Sequence, residues 1–340
     1  MTKLVILCTL ETGLDSIYQL SKSGYEIECI IGLKPNNYNN EDISGYIDIG
    51  NFARENKINY FYVEKYNMNC VKDKKLFSNL EIDLLWVNGW QRLLPNWLLK
   101  IPNLGTVGCH GSPDGITMGR GRSPQNWALL LGCKSFEIAM FKLKPGVDDG
   151  PVIMTKSFFY NYDDDIRTSY YKVSLLIYEM ILDLLDNLSL LNKAVKQTQL
   201  SAYLPQRYPD DGIVDWNSSK YAISRSCKAL TKPYPGLRCF DKKTKIVIWK
   251  CQPFDDKISH KIGYIDVCFN SKEFLVNCLD GRLLVREYTS SLKEWLPKEG
   301  IYLEGKDFLL QLRKIEKRHN KNNPNQKISP RLKRWTDLRS

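Results

Sequence analysis

Residues 107–124 read VGCHGSPDGITMGRGRSP and carry His110, one of only three histidines in the 340-residue chain. Imidazole takes and returns a proton near neutral pH, so a histidine in a glycine-rich run is a candidate general base. Glycines at 105, 108, 111, 115, 119 and 121 let backbone approach a flat ligand closely. Asp148, in KPGVDDGPVI, is the kind of carboxylate such a base needs. Beside an imidazole it fixes the tautomer and stabilises the imidazolium. Sequence distance does not join the two, and a histidine held by a structural hydrogen bond is the competing reading.

For them to meet, the elements around them must bring them to one edge. KLVILCTL reads as a buried strand, TGLDSIYQLSKSGY as a helix and EIECIIGL as a second strand. That order predicts a βαβ unit with a parallel sheet covered on both faces. YIDIGNFAREN (helix), then NYFYVEKY, IDLLWVNGW and TVGCH (strands) continue it. In such sheets chemistry gathers outside the carboxyl ends of the strands, and His110 ends TVGCH. FEIAMFKL and GPVIMTKSFF are two further expected strands. A helix follows with Val173, Leu176, Ile177, Met180, Ile181, Leu184 and Leu188 on one core-facing stripe. From residue 201 the pattern changes. After the linker YLPQRYPDDGIVDW and a short helix, SSKYAISRSCKAL, come five strand-like runs: PYPGLRCF, TKIVIWKCQPF, GYIDVCFN, EFLVNCLDG and RLLVREYTS. They suit a small antiparallel barrel of OB type. The expected organisation is an α/β domain over 1–200, an OB-like domain over 201–310 and a basic tail over 311–340.

The motifs between these elements resemble the formyltransferases that use N10-formyltetrahydrofolate. Gly89-Trp90-Gln91-Arg92-Leu93-Leu94 matches that family's strand-end segment, and His110 takes its histidine position. Arg120-Gly121-Arg122-Ser123-Pro124 matches its RG-x-x-P, and Asp148-Asp149-Gly150 its D-x-G. The linker and PYPGLRCF resemble the junction and second domain of its two-domain members. The resemblance implies a Rossmann-like catalytic domain and formyl transfer from the folate N10 to a primary amine, without a metal. His110 and Asp148 are its catalytic pair. Gln91, Arg92, Leu93, Leu94 and Val147 line the pterin slot, and Gly121 and Arg122 lie by the acceptor. One departure stands out. The family's catalytic asparagine, two residues before the histidine, is here Gly108. Asn88, at the end of the neighbouring strand, is the expected substitute for holding the formyl oxygen, with capping of backbone groups as the alternative.

Composition narrows the acceptor. The net charge is +11, yet residues 311–340 hold ten Lys or Arg against Glu316 and Asp337, so the body is nearly neutral. The segment GLKPNNYNNEDISGYIDIGNFAREN, where methionyl-tRNA formyltransferases carry a basic insertion, has few cations to meet phosphates. The linker also resembles that of the sugar N-formyltransferases. The expected partner is therefore a nucleotide-linked amino sugar; nucleic acid is not expected. The alternatives are a methionyl-tRNA formyltransferase and a catalytically degenerate binder of folate or nucleotide-sugar. Ten scattered cysteines without C-x-x-C suggest reduced thiols in a cytoplasmic protein and no metal. No membrane span is expected, and the oligomeric state stays open, a homodimer included.

Overall fold

A computed structural model describes residues 2–35, 43, 45–198 and 200–332. The chain divides into two compact units: Met1–Arg120, Glu137–Phe158 and Tyr170–Leu200 form the first, and Gly121–Phe136, Phe159–Ser169 and Ser201–Ser340 the second.

The first unit is built on β1 (Leu4–Leu7), β2 (Ile27–Leu33), β3 (Tyr60–Val63), β4 (Leu84–Val87) and β5 (Gly105–Ser112), with α1 (Glu11–Ser21), α2 (Ile49–Glu55) and α3 (Val71–Ser78) between the first four. All four residues of β1 are buried, as a central parallel strand covered on both faces requires. After the two-residue β6 (Arg120–Gly121) and α4 (Pro124–Leu130) come β7 (Ser135–Lys142), β8 (Val152–Phe159) and the long α5 (Ile166–Asp186). The sheet order is β3-β2-β1-β4-β5-β7-β8. β3 to β5 run parallel, and β7 joins β5 antiparallel, pairing His110 with Ala139 and Ser112 with Glu137. That pairing carries β5 two residues beyond His110, past the expected strand end. On α5, Met180, Ile181 and Leu184 are fully buried, whereas Val173, Leu176 and Ile177 are half-buried and Leu188 lies beyond the helix.

The second unit contains β9 (Tyr203–Leu204), α6 (Lys220–Leu230) and five antiparallel strands: β10 (Leu237–Asp241), β11 (Thr244–Asp255), β12 (Ile265–Cys268), β13 (Phe274–Cys278) and β14 (Gly281–Ser290). Ser219 caps α6 by accepting from the Ala222 N–H, and Ile223 and Cys227 enter a core with Ile246, Ile248, Phe274 and Val285. The five expected strands are present, but they do not close into a barrel. The order is β10-β11-β14-β13-β12, and among the described residues no ladder joins β10 to β12. Single bridges, Phe240 with Glu304 and Tyr264 with Tyr302, take the place of that ladder.

The tail also differs from the expectation. Residues Phe308–Asn322 form a helix, α7, capped by Asp307. Its Gln311, Leu312, Ile315 and His319 are buried, and Arg318 forks onto the buried carboxylate of Asp211 at 3.0 and 2.6 Å. Farther on, the Tyr203 N–H donates to the Lys327 carbonyl and the Tyr203 carbonyl accepts from the Ser329 N–H, and Leu332 is fully buried. An i, i+4 apolar stripe hidden among lysines made the segment look like a solvated tail. Residues 333–340 lie outside the described residues, as do 36–42 and 44 of the segment compared with the basic insertion. Arg318→Ala removes the forked guanidinium from the buried Asp211 carboxylate. It is expected to lower the unfolding free energy by about 2 kcal/mol, read by urea unfolding. An unchanged midpoint would return this segment to a solvated tail.

Candidate active site

β5 and the turn between β7 and β8 deliver the two expected residues to each other. His110 Nδ1 stands 3.6 Å from Asp148 Oδ2, and both side chains are largely shielded, at 11% and 22% exposure. The ring's other nitrogen is also occupied: Nε2–H donates to the Gly119 carbonyl at 2.9 Å. A carbonyl only accepts, so the proton of the neutral ring sits on Nε2 and Nδ1 is the nitrogen that takes a second one.

Both neighbours of the ring depend on special backbone. Asp148 holds a left-handed conformation, φ 49°, which aspartate tolerates better than most residues. A side chain at Gly119 would put its Cβ 1.7 Å from the Ser112 hydroxyl, so only glycine brings that carbonyl to the ring. Gln197 ties the two together. Its Nε2 donates to the carbonyls of Asp148 and Gly150, both at 2.8 Å. Its Oε1 accepts from Arg120 Nη2 at 2.7 Å and from Thr117 Oγ1 at 3.3 Å. A reciprocal backbone pair between Val152 and Val195 lays this segment beside β8. Sequence reasoning missed Gln197. It lies in KAVKQTQL, where no motif marks it, and only the pairing with β8 gives it a partner.

Asn88 is not the substitute amide. Its Nδ2 donates to the Gly13 carbonyl at 2.9 Å and to Ser16 Oγ at 2.7 Å, and the residue is buried. Both N–H bonds therefore serve the start of α1, where the order of strands reverses between β1 and β4. Nor does the space at Gly108 belong to Asn88: a Cβ there would meet Leu143 Cδ1 at 2.7 Å. Gln91, Arg92 and Leu93 leave the end of β4 exposed. The Tyr66 hydroxyl accepts from the Gln91 N–H at 3.0 Å, and the Arg92 guanidinium lies over the Tyr66 ring. Leu94 instead turns into the core with Val5, Leu7 and Leu85, so its side chain lines no slot. Val147 is half-buried beside Asp148. In the second unit, Gly121 packs its backbone against Leu204, and the Arg122 N–H donates to the Leu204 carbonyl at 3.1 Å while its side chain is exposed. The structure thus joins His110 directly to Asp148, and spends Asn88 and Leu94 elsewhere.

Cys109, next to His110, is no competing nucleophile, because burial pushes its thiol up to about 12. Among the described residues, no group of three or more His, Cys, Asp or Glu side chains is arranged to hold a metal, and no helix is long and apolar enough to cross a membrane.

The second unit matches the formyl transferase C-terminal domain over residues 207–299. The methionyl-tRNA formyltransferase of Ruminiclostridium cellulolyticum is 24% identical over 84% of this chain and 91% of its own. The N-formyltransferase of Helicobacter canadensis, solved with folinic acid and dTDP-3-aminofucose, shares the fold at a TM-score of 0.56 and 15% identity, over 85% of this chain and 100% of that one. The chain thus carries a formyl transferase C-terminal domain and is similar along most of its length to formyltransferases. The bifunctional polymyxin resistance protein ArnA of Wigglesworthia glossinidia brevipalpis is 29% identical over 73% of this chain, which spans 37% of that longer protein. HypX from Aquifex aeolicus, solved with tetrahydrofolic acid, shares the fold at a TM-score of 0.59 and 16% identity, with 86% of this chain covering 45% of it.

Asn88→Ala removes a buried amide that donates to both the Gly13 carbonyl and Ser16 Oγ. It is expected to lower stability by about 2 kcal/mol in thermal unfolding. Wild-type stability in this variant would free the amide for another role.

Proposed function

We propose that this formyltransferase moves a formyl group from N10-formyltetrahydrofolate to the primary amine of a nucleotide-linked amino sugar. The observation that carries the reaction is the His110–Asp148 pair, 3.6 Å apart at the end of β5. The amine nitrogen bonds to the formyl carbon, the carbon–N10 bond breaks, and N10 gains a proton as tetrahydrofolate leaves. His110 takes the proton shed by the amine at Nδ1, directly or through one water, and Asp148 stabilises the charged ring. The exposed Gln91, Arg92 and Leu93, with the Leu94 backbone and Val147, hold the pterin. Gly121 and Arg122 bind the acceptor.

The sugar is favoured by the scarcity of cations in the described part of the segment after β2, and by the fold shared with an enzyme holding dTDP-3-aminofucose. One observation favours tRNA as a second reading: Arg313, Lys314, Lys317 and Lys321 are exposed along α7, a basic face suited to phosphates.

Purified protein with N10-formyltetrahydrofolate is expected to formylate a nucleotide-linked amino sugar and to leave charged initiator tRNA unchanged. Product with tRNA alone would overturn the sugar. Folate binding without any product would leave a binding protein. His110→Ala and Asp148→Ala are each expected to lower kcat by about 10²–10⁴-fold in a folded protein. Gln197→Ala, which loosens the Asp148 turn without touching the ring, is expected to lower kcat about tenfold with little change in KM. An unchanged kcat would mean that the left-handed turn holds Asp148 unaided.

A further inference from the structure

We propose that the second unit carries a binding site of its own for a small aromatic phosphate, a planar ring bearing a phosphate group such as a nucleoside monophosphate. A cavity of about 240 Å³ opens there, beside the end of α4, the segment leading into α5 and one face of α6. Every residue that lines it belongs to this unit, and none is among those assigned above to formyl transfer. Tyr160, Tyr162 and Tyr221 give it ring walls; Lys134, Arg225 and Lys228 give it positive charge. The lining acid, Asp164, accepts from the Asn161 backbone N–H at 2.6 Å and so serves its own turn.

Arg225 carries the argument. It is half-buried, its Nε is shielded from water, and that atom has no hydrogen-bond partner among the described residues. Burial lowers its affinity for its proton, as partial removal of water from a guanidinium does. Gly132 opposite, with φ +60°, leaves room for it: a Cβ there would lie 3.2 Å from the Arg225 Nε. A shielded cation without a partner costs free energy, and phosphate oxygens match the guanidinium fork.

The aromatic requirement rests on separate residues. The Tyr162 ring is 68% exposed and Tyr221 47% exposed, large apolar surfaces left in water at the mouth of the cavity. Lys228 holds Tyr162 in place, with its ammonium 4.2 Å from the ring centre and an N–H donated to the Tyr162 carbonyl. Tyr160 has its hydroxyl paired with Ser169 at 3.0 Å, so it offers the cavity a ring. Such rings stack on any planar ligand. The volume lies below the usual range for larger ligands, about 300–1,000 Å³, and suits one ring with its phosphate.

Titration calorimetry of the full chain with uridine monophosphate tests the site, with phenyl phosphate, uridine and inorganic phosphate as the other arms. Uridine monophosphate is expected to bind, and uridine and phosphate alone to bind at least about tenfold more weakly. Phenyl phosphate as tight as uridine monophosphate would show that any ring suffices; weaker binding would show that the nucleoside is read. Tyr162→Ala and Arg225→Gln are each expected to weaken uridine monophosphate at least about tenfold, while Arg122→Ala leaves it unchanged. Tyr162 is exposed and contributes little to the core, so that variant stays folded. No binding by the wild type, or full binding in either Tyr162→Ala or Arg225→Gln, overturns the site. Loss in Arg122→Ala instead would place the nucleotide with the acceptor residues, a result that supports the function above and removes this proposal.

Discussion

The imidazole of His110 meets a carbonyl on one side and a carboxylate on the other, and neither neighbour is free to move alone. Gly119 reaches Nε2 because it has no side chain to strike Ser112. Asp148 reaches Nδ1 from a left-handed turn. Gln197 bonds to both sides, through the Asp148 and Gly150 carbonyls on one hand and Thr117 and Arg120 on the other. A planar amide with two donors and an acceptor of two lone pairs can satisfy four partners at once. The Gly119 carbonyl sets which ring nitrogen carries the proton of the neutral ring, and Gln197 braces the segments on either side of it.

Polar groups at the ends of a parallel sheet face two demands. They can serve a ligand, or they can close the backbone of the helices that start there. Asn88 meets the second: its amide ends on Gly13 and Ser16 at the opening of α1, where strand order reverses. Turning that buried amide toward a ligand would break both bonds at once, each worth about 1 kcal/mol. Leu143 fills the neighbouring space at Gly108, so the loss of the family's asparagine there is matched by apolar packing rather than by a second amide.

The second unit shows how charge misleads when read as a sum. Eight of the eleven net positive charges fall in the last thirty residues, yet that segment contains an amphipathic helix. Its inner face buries Leu312 and Ile315 beside Gln311 and His319, and Arg318 on its flank pairs with the buried Asp211. Arg225 is the opposite case, its Nε shielded from water with no hydrogen-bond partner among the described residues. The value of each cation is set by what faces it.

Sequence alone determined the order of strands and helices, because apolar runs buried on both faces and period-3.6 stripes are local properties of the chain. It also pointed to the His110–Asp148 pair, through motifs whose order along the chain resembles that of the formyltransferases. The tertiary structure decided everything that depends on a partner distant in sequence. It brought Gln197 to Asp148 through a pairing with β8, committed Asn88 to α1, and sent Leu94 into the core. It left the C-terminal strands as an open sheet and turned part of a basic tail into a docked helix. A polar side chain's type states which bonds it can make; only the fold states which partner arrives first.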